Sequence, residues 1–178
     1  MMAAQIVFTL TGPDRVGLVD EVTELLLDLG GNVETSRMMR LGGEFAMLML
    51  VSLPDVELAK LDASLAHLTG AGYKVTASRT EERPDEHAGW LPYRIEVMGA
   101  DHEGIIHRIA HGLSRRGINI ESAETETKQA PVSATPLFSM TTLVLVPPEL
   151  AEPDWRVELE EAAQRANVDV TVKPEGRE

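Results

Sequence analysis

A chain of 178 residues, 43% hydrophobic and 25% charged, has apolar material for one medium domain or two small ones and no compositional sign of extended disorder. Its net charge of −13 argues against direct nucleic-acid binding, which rests on Lys and Arg displacing counterions, and against an anionic membrane surface. With no cysteine, disulfides, thiol catalysis and thiolate metal sites are excluded, and a cytoplasmic location is expected.

The N-terminal MMAAQIVFTL lacks a basic region and reads as a strand, not a signal peptide. Its β-branched and apolar run, Gln5 to Thr11, ends at Gly12-Pro13-Asp14, a loop. Leu18, Val22, Leu25 and Leu29, with Val19 and Leu26 beside them, recur at helical steps, while Asp20, Glu21, Glu24 and Asp28 fall elsewhere on the wheel. Gly30-Gly31 stops that helix. Asn32 to Leu41 and Glu44 to Leu53 flank Gly42-Gly43, a pair suited to a hairpin turn. The second of these strands is apolar on both faces: Phe45, Met47 and Met49 on one, Ala46, Leu48 and Leu50 on the other, so both faces are expected to be buried, through sheet or helix packing against another domain copy. Pro54-Asp55 opens a second helix with Val56, Leu58, Leu61, Leu65 and Leu68 as its stripe, stopped near Gly70 and Gly72, and Lys74 to Ser78 is a closing strand. Thr80 to Gly89 is polar, carries a proline and has no apolar period, as a linker does.

The chain then repeats itself. Gly12, Asp14, Gly17, Val19, Val22, Leu26, Gly30, Asn32 and Glu34 align with Gly99, Asp101, Gly104, Ile106, Ile109, Leu113, Gly117, Asn119 and Glu121, each pair 87 residues apart. The second half keeps the same order: strand Tyr93 to Val97, helix Gly104 to Arg116, strands Asn119 to Thr127 and Leu137 to Val146, helix Asp154 to Ala166, strand Val168 to Val172. Extra residues fall at its hairpin tip, around Gln129 to Thr135. The expected class is α+β, two tandem βαββαβ ferredoxin-like domains: residues 1–80 and 90–174, joined by a linker at 81–89 and followed by a polar tail at 175–178.

The strand end G-P-D-R-V-G-L-V, the helix ending in G-G-N and the βαββαβ order resemble the ACT domain, a small regulatory module that binds amino acids. Two in tandem with little else resemble the glycine-cleavage transcriptional repressors. The second motif, G-A-D-H-E-G-I-I, lacks the proline and has His102 and Glu103 where Arg15 and Val16 stand. The resemblance implies a ligand loop at Gly12, Asp14, Arg15, Val16, Gly17, Leu18 and Asn32, and a second at Asp101, His102, Glu103, Gly104, Ile105 and Asn119. It implies a small amino acid as ligand, glycine or serine, and a regulatory protein partner such as a transcriptional activator of glycine-cleavage genes. A homodimer is expected, with no cofactor, no direct nucleic acid and no membrane.

Such a site has its own chemistry. A ligand carboxylate suits backbone N–H groups at a helix N-terminus, and an ammonium wants an oxygen acceptor. Gly12 and Gly17 let the backbone approach closely, and Asp14 either caps the helix or faces the ammonium. Asn32 is expected to enter its strand from the same end. Asp101 and Glu103 oppose a ligand carboxylate, which makes the first loop the better amino-acid site. The plain alternative is that these glycines and aspartates only build a tight turn, and that Asn32, just after Gly31, and Asn119, two residues after Gly117, only serve turns.

His107 and His111, four apart on one helix with Asp101, His102 and Glu103 upstream, form the one metal-like cluster, for which a solvated helix face is the preferred reading and no metal is assigned. No helix-turn-helix, nucleophile elbow, P-loop or dinucleotide fingerprint is present. The chain is therefore expected to be no enzyme; a ligand-free dimerisation module and a small enzyme with a site between the halves are the alternatives.

Overall fold

The structure, a computed structural model, describes residues 3–81, 86–129, 135–150 and 154–176. The chain divides into two units, Met1–Pro84 and Asp85–Glu178. The extra residues expected at the second hairpin tip lie largely outside the described residues, as do 82–85 of the linker and 177–178 of the tail.

In the first unit the order is β1 (Ala3–Pro13), α1 (Leu18–Asp28), β2 (Asn32–Leu41), β3 (Glu44–Pro54), a 3-10 turn (Asp55–Glu57), α2 (Leu58–Gly70) and β4 (Lys74–Thr80). The sheet runs β2-β3-β1-β4, every neighbour antiparallel. Alternate side chains of β1 (Ala4, Ile6, Phe8, Leu10) and β3 (Met47, Met49, Val51, Leu53) meet Leu18, Val22 and Leu26 of α1 and Leu61, Leu65 and Leu68 of α2 in one buried core. Period-two strands and a helical stripe have one dry solution here: both helices on the same sheet face. Gly42 and Gly43, both at positive φ (60° and 89°), make the β2–β3 turn.

The second unit repeats this as β5 (Leu91–Ala100), α3 (Ile105–Ser114), β6 (Asn119–Gln129), β7 (Pro136–Val146), α4 (Asp154–Arg165) and β8 (Val168–Pro174), with sheet order β6-β7-β5-β8. Strands β2 and β6 each carry a register shift, between Val33 and Thr35 and between Ile120 and Ser122. The aligned Glu34 and Glu121 are the inserted residues, so the repeat extends to its irregularity.

One expectation is corrected, and a second holds only outside the unit. Val56 is 71% exposed, because the chain passes through a 3-10 turn whose tighter winding puts it off the stripe that starts at Leu58. The second face of β3 is not buried within its unit: Leu48 is 51% exposed, and Met39, on the same face, 52%.

Candidate functional site

The first loop is tied down by its own chain. A Cβ at Gly12 would lie 2.5 Å from Cδ1 of the buried Tyr73, so that glycine makes room for a ring, where the sequence suggested room for a ligand. Asp14 does not cap α1, whose N-cap is Gly17 in the left-handed region at φ 84°. Its N–H donates to the Gly43 carbonyl at 3.0 Å and its carboxylate accepts from Arg40 Nε of β2 at 2.7 Å. Arg15 Nε donates to the Tyr73 hydroxyl at 3.0 Å, which donates to the Pro13 carbonyl at 3.0 Å. The Arg15 guanidinium also pairs with Glu21, which His67 Nε2 meets at 3.1 Å. Arg15 is raised further above its ordinary pKa by the bonds to Glu21 and Tyr73, and Glu21 is held below the usual carboxylate range by its bond to Arg15. Val16 is fully exposed and Leu18 is core.

The second loop is more open. Asp101 N–H donates to the Pro136 carbonyl at 2.9 Å, while the His102 ring nitrogens face the carbonyls of Glu103 (3.0 Å) and Ala166 (2.5 Å). Gly104 is the N-cap of α3 at φ 89°, and Glu103 is exposed. Between this loop, the start of α3 and β6 lies a concavity of about 550 Å³ lined by Asp101, His102, Gly104, Ile105, Thr125 and Thr127 among others. The concavity beside the first loop takes only Gly12 of that loop's candidate residues. The first turn of α1 carries Asp20 and Glu21, which repel an anion; that of α3 carries no acid.

Asn32 and Asn119 do not join these loops within their own units. Asn32 pairs with Ser52 and Ser52 with Gln5, whereas Gly12 pairs with Phe45. Asn32 therefore sits about seven residues along the sheet from Gly12, roughly 23 Å at the usual strand rise. Asn119, level with Leu145 and Pro92, stands equally far from Gly99. The reason is topological. A helix returns the chain to the starting end of the sheet, so β2 runs parallel to β1 and begins where β1 begins.

A family model for the ACT domain matches residues 4–71. The glycine cleavage system transcriptional repressor of Escherichia coli (strain K12) is 29% identical over 127 residues, 70% of this chain and 66% of that protein. A crystal structure of an unknown protein from Galdieria sulphuraria has a TM-score of 0.82 at 30% identity, covering 98% of this chain and 100% of the other.

Residues 4–71 belong to the ACT-domain family.

A crystal structure assigned to a glycine cleavage system transcriptional repressor shares the tandem ACT fold, with a TM-score of 0.69 at 20% identity over 97% of this chain and 98% of the other. Just under two thirds of the Escherichia coli relative's length is spanned. In both ACT units the residues facing the loops from elsewhere had no signal in the sequence: Tyr73 and Arg40 in the first, Thr125 and Thr127 in the second. Arg40, Thr125 and Thr127 reach the loop through strand register and Tyr73 from the turn into β4, and none belongs to the repeated motif. His107 and His111 stack with ring centroids 5.8 Å apart on the exposed face of α3, and His102 turns to Ala166. Among the described residues no three His, Asp or Glu side chains converge as a metal centre requires, and no helix is long and apolar enough to cross a membrane.

Proposed function

We propose that this ACT-domain protein is a regulatory sensor, not an enzyme, that binds a small amino acid, glycine or serine, and thereby alters its hold on a regulatory protein partner such as a transcriptional activator of glycine-cleavage genes. Its working units are residues 1–80 and 90–174. The relatives' regulatory names support the class, and one observation supports the place: the concavity at the start of α3, lined by the helix N-terminus at Gly104 and Ile105 and by Thr125 and Thr127. A ligand carboxylate would lie at the N-terminus of α3, with Asp101 as acceptor for the ammonium. This reverses the ranking drawn from the two loop sequences, because Asp14 and Arg15 already have partners.

A second reading, that the first unit is a ligand-free interaction module, draws support from those same pairs. Asn32 and Asn119 would reach a loop-bound ligand only from outside their own units.

Calorimetry and thermal shift with glycine, serine and the other amino acids test the proposal. A saturable stabilisation that is lost in Asp101→Ala and Thr127→Val but kept in Asp14→Ala supports a sensor acting through the second loop. Silence with every amino acid overturns the sensor reading and leaves the interaction module.

A further inference from the structure

The groove between α3 and α4 in the second unit differs from the groove between α1 and α2 in the first in both wall and floor. At the 87-residue offset, Glu21, Glu24 and Asp28 of α1 fall on Arg108, His111 and Arg115 of α3, so an acidic wall becomes a basic one. Leu25 falls on Gly112. The side chain that lines the first groove is therefore missing from the second, and a Cβ built at Gly112 would stand an ordinary 3.5 Å from the Ala162 Cβ of α4. With its floor lowered, the second groove holds about 480 Å³ against about 290 Å³ in the first. A glycine inside a helix costs about 1 kcal/mol relative to alanine. Gly112 has room for a methyl group, so close packing does not require it; what it leaves is space.

The charge in that space is uncompensated. Both carboxylates of the groove are engaged, Glu158 by Arg116 and Glu161 by Arg165. Among the described residues, Arg108 and Arg115 have no carboxylate partner, although the chain carries a net charge of −13; Arg108 reaches only the Glu103 carbonyl, at 3.5 Å. Both are exposed. A guanidinium presents a planar fork of donors that matches phosphate oxygens two at a time. His107 and His111 add ring nitrogens on the same wall. Arg108 and Arg115 stand two turns apart, about 10 Å along the helix. Such spacing fits an anion whose charge is spread along its length better than one compact ion, and the volume falls within the roughly 300–1,000 Å³ of small-molecule sites.

We infer that the α3–α4 groove binds a small polyphosphate-bearing ligand, held by Arg108 and Arg115 over the floor left by Gly112. The inference does not rest on amino-acid binding at either loop.

Isothermal titration calorimetry of the full chain with inorganic triphosphate, ATP and orthophosphate, in metal-free buffer at low salt, tests it. Triphosphate is expected to bind once per chain, and orthophosphate about tenfold more weakly or worse. ATP that binds no tighter than triphosphate assigns the groove to the phosphate chain itself; tighter binding assigns it to a nucleotide. Arg108→Ala with Arg115→Ala is expected to lose about tenfold or more in affinity. Arg37→Ala with Arg79→Ala, the same change of charge outside the groove, is expected to leave affinity within about twofold. Gly112→Leu keeps every charge and restores the residue of the first unit, and it is expected to weaken binding as much as the arginine pair does. Circular dichroism checks folding; should the double groove variant fail to fold, Arg115→Ala alone carries the comparison. A chain that binds no triphosphate overturns the inference. Equal losses in the groove and control variants overturn it too, since they show a response to net charge only. An affinity unmoved by Gly112→Leu, or orthophosphate binding as tightly as triphosphate, likewise overturns it.

Discussion

Gly12 at the end of β1 and Tyr73 at the entry to β4 are fitted so closely that the ring occupies the place of a side chain at position 12: an added Cβ would stand 2.5 Å from Cδ1 and 3.1 Å from Cε1. The second unit repeats the arrangement with Gly99 and Val168, where a Cβ would lie 2.7 Å from Cγ1 and 3.1 Å from the Val168 Cα. The glycine shared by the two loop motifs thus has a packing reason.

Gly12→Ala is expected to destabilise the first unit by about 1–3 kcal/mol, the usual cost of overpacking. Gly99→Ala is expected to cost more, because backbone as well as side chain must give way. Urea unfolding of each variant checks the order; a neutral Gly99→Ala would mean that β5 and β8 separate freely.

Gly17 and Gly104 differ in kind. Nothing lies within 4 Å of a Cβ built at Gly17, yet φ is 84° there and 89° at Gly104. Alanine at either position is expected to cost roughly 1–2 kcal/mol in backbone strain alone. Asparagine, which tolerates this region, is expected to recover part of that loss in the same melt.

Thr142 is fully buried and its hydroxyl has no hydrogen-bond partner among the described residues; the matching position in the first unit is Met49. Removing a buried, unsatisfied hydroxyl without changing side-chain shape is expected to stabilise by about 1 kcal/mol, so Thr142→Val should raise the unfolding midpoint. A lower midpoint would show that the hydroxyl has a partner in solution.

Acid weakens the first loop before it touches the core. Glu21 is lowered by its bond to Arg15, so its contribution is complete above the unfolded carboxylate pKa and is lost as pH falls through the lower folded value. Glu175, lowered by Arg94, behaves alike in the second unit. Stability measured from neutral pH down through the carboxylate range is expected to fall less steeply in Glu21→Gln than in the wild type, and unchanged steepness would show that the Arg15 pair does not persist in solution.

The order of elements, the duplication and the fold class were legible in the sequence because they rest on local properties: period two against period 3.6, glycine punctuation, and one constant offset that survives through the Glu34 and Glu121 bulges. The loops themselves were legible for the same reason. What surrounds them was not. Arg15 meets Tyr73 across 58 residues and His102 meets Ala166 across 64, contacts made where the chain turns from a helix into β4 and β8 beside β1 and β5, which leaves no mark in the loop's own residues. Asn32 and Asn119 show the limit most plainly: each opens a strand just after a helix-ending glycine, yet the parallel return of the chain sets them at the far end of the sheet from the loops they were expected to complete. Local patterning determines which residues form strands and helices; only the pairing of strands decides which ends of the sheet, and so which side chains, come together.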